Sequence, residues 1–412
     1  MKENYNARVK LSNFTKLQIS AFTVTFLFTQ CSPQNLVQTS GRGALEQKAA
    51  SPHVTKIRTY DSPGRSSEII SYSNSLGLLL ATNSVSKEIV CMRLPNPATA
   101  SPQPISFGSN QTGIQLDGEP TSVACHPSQA YAFTAVNSDQ GRLVIFDLKA
   151  AAQGQKKVIL DQPIGIQLDS IAVSPNGQWV VVADEAEGSA STPGNILIAS
   201  TQGFNSGKNL NFKKVPSLAE ALGRPSGRVE PEFIAIDASS RFAAVSCQED
   251  NAVAIVRLSN SPSLGSIIPL PSGSEPDGVH MINHAGRTIL GIAEEGTDSV
   301  SFYQINSGSL QAALLSRVNI RTLGGQGLRS DPEGVALFTQ GGNLYAAISV
   351  ERANRVTILN LNNPSAPVKE AVVPVGSRPE GIISVRKEGS TTVISADEGK
   401  PGRGEISFIK IK

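Results

Sequence analysis

The 412-residue sequence is poor in residues that cross-link, react or bind metals: it has four Cys, four His, three Met and one Trp. It also lacks the common enzyme motifs, because no G-x-S-x-G, P-loop, H-E-x-x-H or dinucleotide-binding glycine pattern occurs. The sequence therefore identifies no catalytic residues. Whether the protein is an enzyme stays open.

An excess of charge of one sign is also absent. The chain has 36 Lys and Arg residues against 34 Asp and Glu, a formal net charge of +2. Such a balance produces no overall field that attracts nucleic acid or a membrane surface. We therefore expect no nucleic-acid partner. Glycine and proline are abundant instead, at 36 and 25 residues, which suits many short strands joined by tight turns.

The N-terminal segment has a basic start followed by one uncharged, mostly apolar run. Four basic residues lie within the first 16 positions, and residues 17–30 carry no charge. A run of fourteen is too short to cross a bilayer as a helix, but it fits the hydrophobic part of a secretory signal. We predict a signal segment over residues 1–30 and an exported, secreted protein of the periplasm or cell surface.

Cys31 follows this run directly, and the sequence Cys-Ser-Pro resembles the start of a bacterial lipoprotein. Two alternatives stay open: lipidation of Cys31 anchors the protein to a membrane, or an ordinary signal peptide is cut further on. Residues 31–53 are polar and without a periodic pattern, as expected of a tether. Membrane contact then depends on Cys31 alone, and we expect a monomer.

The other three cysteines, Cys91, Cys125 and Cys247, lie in separate apolar runs. Their spacing matches no metal-ligand motif. We expect buried free thiols. A disulfide between Cys91 and Cys125 is the alternative.

A turn followed by an apolar strand occurs seven times after residue 66. The copies begin 45 to 63 residues apart, at Ser67, Pro120, Leu168, Pro231, Pro276, Pro332 and Pro379. Periods of this length indicate a propeller or an array, since one unit cannot bury its own faces. Each copy continues with further short, β-branched segments, which are typical of strands. We predict an all-β, seven-bladed β-propeller of four-stranded antiparallel blades over residues 54–412.

The seventh copy contains only three of its four strands. Its third strand is predicted at residues 405–411, close to the last residue. Residues 54–60, ahead of the first copy, form a spare strand that can complete this blade. Pairing the two segments closes the ring and removes exposed sheet edges.

Several motifs point to a family. DPEGVA at 331–336, VERANRV at 350–356, RPEGI at 378–382 and ADEG at 396–399, together with EPE at 230–232 and QEDNA at 248–252, resemble the choice-of-anchor I family of bacterial surface propellers. This family is similar to mesenchyme-specific cell-surface glycoproteins and to YVTN and lactonase-like propellers of the WD40-like superfamily. The likeness covers about residues 56–412 and is best after residue 228. It implies an exported propeller without an established set of catalytic residues.

Acidic residues concentrate in two sets of loops that a propeller brings to one face. The loops before the first strands and those between the second and third strands contain 21 of the 34 acids. Equivalent positions in a closed ring lie on a circle, so acids at one turn position should face a single axis. Crowded carboxylates repel one another, and a hard cation such as calcium, or nearby arginines, would relieve the repulsion. The same turn position holds Glu232, Asp277, Glu333 and Glu380, and the nearby arginines are Arg228, Arg329 and Arg378.

Two functions follow from this acidic face. The four acids are candidate metal ligands and, with the three arginines, candidate contacts of an unidentified polar ligand or protein partner. The structural alternative is that the Pro-Glu-Gly turns need these residues for backbone geometry. We favour a surface binding or scaffold module; the alternative is a metal-assisted hydrolase of lactone or phosphoester type. A tight cluster of three or more carboxylates would favour the hydrolase, and salt-bridged acids the binding module.

Overall fold

Seven antiparallel sheets form the described part of the chain, six of four strands and one of five. The computed structural model describes residues 54–62, 66–108, 111–185, 194–202, 204, 208–224, 229–323, 330–400 and 402–412. The predicted signal segment (1–30) and tether (31–53), with Cys31, lie outside these residues. Arg228 and Arg329 lie outside them as well. Each sheet is one blade, numbered here in chain order.

The first strand of every blade lies at the repeat found in the sequence. First strands of neighbouring blades contact one another around the whole ring, so they surround its axis. From blade 1 to blade 7 they are Ile70–Ser73, Glu119–Cys125, Leu168–Val173, Pro231–Ile236, Pro276–His284, Pro332–Gln340 and Pro379–Lys387.

Second and third strands follow as antiparallel partners. The second strands are Leu78–Asn83, Tyr131–Asn137, Trp179–Asp184, Phe242–Cys247, Arg287–Glu294, Asn343–Val350 and Ser390–Lys400. The third strands are Glu88–Arg93, Gly141–Asp147, Asn195–Ser200, Ala252–Arg257, Ser299–Ile305, Arg355–Asn360 and Arg403–Ile411.

The fourth strands vary most in length. They are Gln103–Pro104 with Gly113–Gln115 in blade 1, then Val158–Gly165, Lys213–Lys214, Ser263–Pro269, Ala312–Asn319, Val368–Pro374 and, in blade 7, Val54–Asp61. The described helices are short: α-helices at Leu148–Ala151 and Leu218–Ala221, and 3-10 turns at Glu295–Thr297, Arg321–Leu323 and Glu351–Ala353.

The ring closes through the strand that precedes the first blade. Val54–Asp61 pairs antiparallel with Arg403–Ile411, with Val54 opposite Ile411 and Asp61 opposite Glu405. This confirms the predicted pairing of residues 54–60 with 405–411. The N-terminal strand therefore supplies the edge that blade 7 lacks.

The core consists of apolar layers between adjacent blades. Phe302 of blade 5 and Leu337 of blade 6 share one such layer. Strands in the middle of a blade face a neighbour on both sides, so Phe242–Cys247 is buried at every residue. Burial on both faces explains why these strands read as continuous apolar runs. Each fully buried Phe or Leu side chain stabilises the fold by about 1.5–3 kcal/mol.

The cysteines of the propeller are free thiols. Cys91 and Cys247 are buried, and Cys125 packs against the same apolar cluster as Cys91 without bonding to it. The disulfide alternative is therefore wrong. Burial raises the pKa of Cys125 to about 12, which keeps this thiol protonated and unreactive. Among the helices of the described residues, none is long and apolar enough to cross a membrane.

Candidate binding site on the propeller axis

A β-bulge marks the start of the first strand in blades 3 to 7. In blade 6, Pro332 pairs with Val350 and Val335 pairs with Ile348, so two residues, Glu333 and Gly334, lie opposite one. Blades 3, 4, 5 and 7 have the same irregularity. A bulge changes the direction in which a side chain points. The repeated bulge therefore places equivalent residues around the axis.

These equivalent positions form what we call the axial ring: Glu68, Thr121, Asp169, Glu232, Asp277, Glu333 and Glu380. All of its members except Glu68 line a single cavity of about 260 Å³. The structure thus brings together the four acids singled out in the sequence. It adds Asp169 of blade 3 and Thr121 of blade 2, which occupy the same turn position in their copies.

Glycines that follow the ring acids allow neighbouring blades to approach closely. A Cβ on Gly334 would lie 2.6 Å from the carbonyl oxygen of Glu380, and one on Gly381 would lie 2.4 Å from the carbonyl oxygen of Glu68. The Gly381 N–H donates to that Glu68 carbonyl at 3.0 Å. Only glycine fits this contact, so the Pro-Glu-Gly turns do have a structural role in spacing the ring.

The ring acids of blades 5 and 7 are also positioned by the preceding blade. Asn251 and Asn354 end the loops between second and third strands in the left-handed conformation, with φ of 51° and 50°. Their side-chain oxygens accept from the backbone N–H of Glu275 at 3.1 Å and of Arg378 at 2.8 Å. Each of these hydrogen bonds fixes the loop that leads into the ring acid of the next blade. Asn tolerates this conformation better than most residues.

Four ring carboxyls form two hydrogen-bonded pairs. Glu232 pairs with Asp169, and Glu333 pairs with Asp277. Burial, together with the charge of the partner, raises the pKa of Glu232 to about 10 and that of Glu333 to about 11. Burial also raises the pKa of Asp277 well above its ordinary value. Each pair therefore keeps a proton at neutral pH.

The remaining ring carboxyls, Glu68 and Glu380, differ in their hydrogen bonds. The Oε1 atom of Glu68 accepts from Ser66 Oγ at 2.7 Å and also from Ser84 Oγ. The Oε2 atom of Glu380 is buried and accepts no hydrogen bond from any described residue. Burial and the charge of Glu68 raise the pKa of Glu380 well above its ordinary value. Glu380 is thus the ring acid that most needs a partner.

A second tier of residues lies next to the ring, at or near the ends of the second strands in blades 3 to 7. Arg378, just before the first strand of blade 7, contacts two acids of this tier: its Nε donates to Glu351 Oε1 at 2.7 Å, and its guanidinium forms an ion pair with Glu398. With Glu295, Glu333 and Glu380, these residues line a cavity of about 260 Å³. Arg378 therefore forms direct ion pairs with Glu351 and Glu398, and it acts on Glu380 only through longer-range electrostatic attraction. The tier comprises Glu185, Gln248, Glu295, Glu351 and Glu398.

Other acids of this face are bound to arginine. Arg317 contacts the fully buried Glu294 at 2.7 Å, and Arg224 contacts Asp250 at 3.0 Å. Across the described residues, no three His, Cys, Asp or Glu side chains are arranged to hold one metal ion. Several acids outside the axial ring are therefore salt-bridged, and no three acids of the described residues surround one point.

His280 also lines the axial cavity, although it belongs to none of the motifs recognised in the sequence. Its Nδ1 accepts from the backbone N–H of Leu337 at 3.2 Å. Burial lowers the pKa of His280 to about 4, so its imidazole is neutral at physiological pH. The alternating pattern of the Pro276–His284 strand could have indicated the position of His280, because it places this side chain on a face of the strand that neighbouring blades cover.

The family model described as the choice-of-anchor I domain matches residues 68–272. Residues 68–272 are therefore similar to the choice-of-anchor I domain. The match includes the first three repeats, where the family motifs in the sequence are weakest. Asp277, Glu333 and Glu380 lie beyond the matched residues. Among curated proteins, none matches the sequence significantly.

Solved propellers share the fold of this chain at low sequence identity. The β-propeller domain of Cps50 (Swd1) from Myceliophteria thermophila has a TM-score of 0.61 at 12% identity, covering 86% of this chain and 99% of its own. Hydrazine synthase of Kuenenia stuttgartiensis has a TM-score of 0.61 at 15% identity, covering 83% of this chain and 95% of its own. The periplasmic gluconolactonase of Pseudomonas aeruginosa has a TM-score of 0.58 at 17% identity, covering 76% of this chain and 86% of its own. At such identities the likeness concerns the fold alone.

Proposed function

We propose that this protein is an exported binding propeller whose axial cavity takes a small cation, with a divalent ion such as calcium as the candidate. One observation carries the proposal: Glu380 has a buried carboxylate oxygen that accepts no hydrogen bond from the described residues, in a cavity shared with four other acids. A buried carboxylate without a partner is costly, so Glu380 either keeps a proton, as its raised pKa indicates, or binds a cation.

Protons and cations compete for this ring. The Asp277–Glu333 pair lies next to Glu380 and keeps a proton at neutral pH. A bound divalent ion would favour the charged carboxylates and displace that proton. Because metal ligands must be deprotonated, the affinity should rise with pH.

The ion would be held by few direct ligands. Since no three acidic or His side chains of the described residues are arranged around one point, one or two ring carboxylates would bind the ion and water would complete its shell. Calcium accepts six to eight oxygen ligands in flexible geometry, including water and backbone carbonyls. The Glu68 carbonyl lies at the boundary between blades 7 and 1, the Glu380 carbonyl lies at the boundary between blades 6 and 7, and both already accept hydrogen bonds.

The salt-bridged acids of the surrounding face favour a binding or scaffold role over catalysis. Arg378, Glu351 and Glu398 form a mixed-charge rim that suits a polar ligand or a protein partner. The family's description and the N-terminal segment support a location at the cell surface or in the periplasm. Lipidation of Cys31 would provide the membrane anchor; a Cys31→Ser protein that stays in the membrane fraction would remove this part of the proposal.

The test is the effect of calcium on thermal unfolding at about pH 8. A ligand that binds only the folded protein stabilises it by RT ln(1 + [L]/Kd), about 2.7 kcal/mol at a hundredfold excess over Kd. Calcium should raise the melting temperature and a chelator should reverse the rise. Glu380→Gln should abolish the response. The matched control is Glu220→Gln, an exposed acid of the Leu218–Ala221 helix, which should respond as wild type. No calcium shift in the wild-type protein overturns the proposal.

A hydrolase of lactones or phosphoesters is the second candidate. The observation in its favour is the Asp277–Glu333 pair, which could pass a proton, in a cavity of a fold shared with a periplasmic gluconolactonase. Turnover of gluconolactone and of a phosphodiester should then be measurable with calcium present and lost in Glu333→Gln. Equal background rates in both proteins would exclude this candidate while leaving the calcium response unaffected.

A further inference from the structure

Blade 3 differs from most of its neighbours in its outer edge. Its fourth strand, Lys213–Lys214, has two residues and pairs only with Leu197 and Ile198 of the third strand. The corresponding strands of blades 2, 4, 5 and 6 have seven or eight residues. The short strand leaves a groove of about 560 Å³ beside the third strand, bordered by Ser259 and Asn260 of blade 4.

The base of this groove is apolar and firmly held. It includes Trp179, which is partly exposed, and the buried side chains of Ile198, Phe204 and Leu210. Phe204 packs against Tyr131, with the ring centroids 5.3 Å apart.

Leu210 is fixed by the side chain of Gln162 in blade 2. The Gln162 amide accepts from the Leu210 N–H and donates to the Leu210 carbonyl, both at 2.9 Å. The groove is thus formed by residues with defined positions, as a binding site requires.

The rim has a different chemistry. Four amide side chains, those of Gln202, Asn209, Asn211 and Asn260, line it together with Lys208 and Lys213. None of the described lining residues is acidic. This is the reverse of the axial cavity, where carboxylates dominate. The groove therefore favours a ligand that is anionic and rich in hydrogen-bonding groups, with an apolar face for the indole.

We propose that this groove binds an acidic saccharide of the uronic acid type. A sugar ring has an apolar C–H face that can lie against Trp179, and aromatic side chains provide such contact area. Its hydroxyls both donate and accept, as do Asn and Gln amides. Lys208 and Lys213 would pair with the carboxylate. The volume lies within the range of about 300–1,000 Å³ that small-ligand sites occupy.

Trp179 is the only tryptophan of the chain, so its fluorescence reports on this groove alone. The full-length protein is titrated with trigalacturonate and, in parallel, with the neutral trisaccharide cellotriose. Trigalacturonate should change the emission saturably, and the affinity should fall as salt is raised, because the charge contribution is screened. Cellotriose should bind at least about tenfold more weakly, about 1.4 kcal/mol.

Variants of the lysines and of Trp179 separate the contribution of charge to binding from that of apolar contact. Lys208→Gln with Lys213→Gln should weaken trigalacturonate binding about tenfold or more and leave cellotriose binding unchanged. The matched control is Lys369→Gln, an exposed lysine of the Val368–Pro374 strand in blade 6. Trp179→Phe, followed by calorimetry, should weaken both sugars. Glu380→Gln should bind trigalacturonate as wild type does, which keeps this proposal independent of the axial cation.

Three results would overturn the proposal. One is the absence of a saturable change with trigalacturonate. Another is equal affinity for cellotriose, since the lysines would then have no role. The third is equal affinity for inorganic triphosphate or an acidic peptide, which would make the groove a general anion site.

Discussion

The carboxyl groups of Asp277 and Glu333 share a hydrogen bond across the boundary between blades 5 and 6. Two acids can share such a bond only when one of them is protonated. Asp169 and Glu232 repeat the arrangement between blades 3 and 4. The acids are far apart in sequence, and the equivalent bulges of successive blades bring them together. The axial ring therefore holds protons as a consequence of the propeller's symmetry.

Stability should depend on pH in a direction that these pairs determine. The folded protein keeps protons that the unfolded chain releases above the ordinary glutamate pKa of 4.5, while the folded pKa is about 10 for Glu232 and about 11 for Glu333. The free energy of unfolding should therefore fall as pH rises between these limits, by at most about 1.4 kcal/mol per pH unit for each proton. Urea unfolding in chelator at about pH 5.5 and about pH 8 measures this slope.

Glu333→Gln should reduce the slope, because Gln has no proton to lose in this range. Glu220→Gln, which changes an exposed acid, should leave it as in wild type. An equal slope in wild type and Glu333→Gln would show that the pair does not hold a proton.

Arg317 should contribute more to stability than a surface arginine. It makes three contacts of 2.7 to 3.2 Å with the carboxylate of Glu294, which is fully buried. Arg317→Gln should lower the free energy of unfolding by about 3 kcal/mol, because it leaves a buried charge without its cation. Arg142→Gln, which breaks an exposed pair with Asp161, should cost less than about 1 kcal/mol. Similar losses in both variants would contradict this assignment.

Gly381→Ala should disturb the axial ring. The added methyl would lie 2.4 Å from the backbone carbonyl oxygen of Glu68, which cannot move without displacing blade 1. A loss of about 1–3 kcal/mol is expected, measured by urea unfolding. Gly308→Ala is the control, since the nearest atom to its Cβ would be Asn306 Oδ1 at 3.4 Å, and its effect should stay within about 0.5 kcal/mol. Equal effects would mean that the close approach is not needed.

Deleting residues 54–61 should open the ring. This strand pairs along its whole length with Arg403–Ile411, and its loss exposes the edge of the third strand of blade 7. We expect a lower melting temperature and concentration-dependent aggregation, because an unpaired edge templates association. Circular dichroism and light scattering provide the measurements. A deletion of the same length at residues 43–50, ahead of the strand, serves as the control. If both proteins melt alike, closure by this strand does not stabilise the propeller.

The sequence predicted the repeat well because a propeller repeats its local chemistry. Seven turn-and-strand copies were enough to predict seven blades, and the missing last strand predicted the pairing of Val54 with Ile411. The four acids at one turn position were also expected to share an axis, and they line one cavity. The sequence did not predict the role of Arg378: it lies close to Glu380 along the chain, but its ion pairs are with Glu351 and Glu398. Side-chain partners across blades depend on loop conformations that no local pattern encodes.

What the sequence determined by itself is the fold and its closure, since strand alternation, turn residues and repeat period are local properties that agree with one another. Only the tertiary structure decided which acids share protons, that Glu380 is left with an unsatisfied oxygen, and that the short fourth strand of blade 3 opens a groove at Trp179. Those features arise from residues that are distant in the chain and adjacent in space. Their energies come from burial and from the charge of neighbours, which the order of residues alone does not specify.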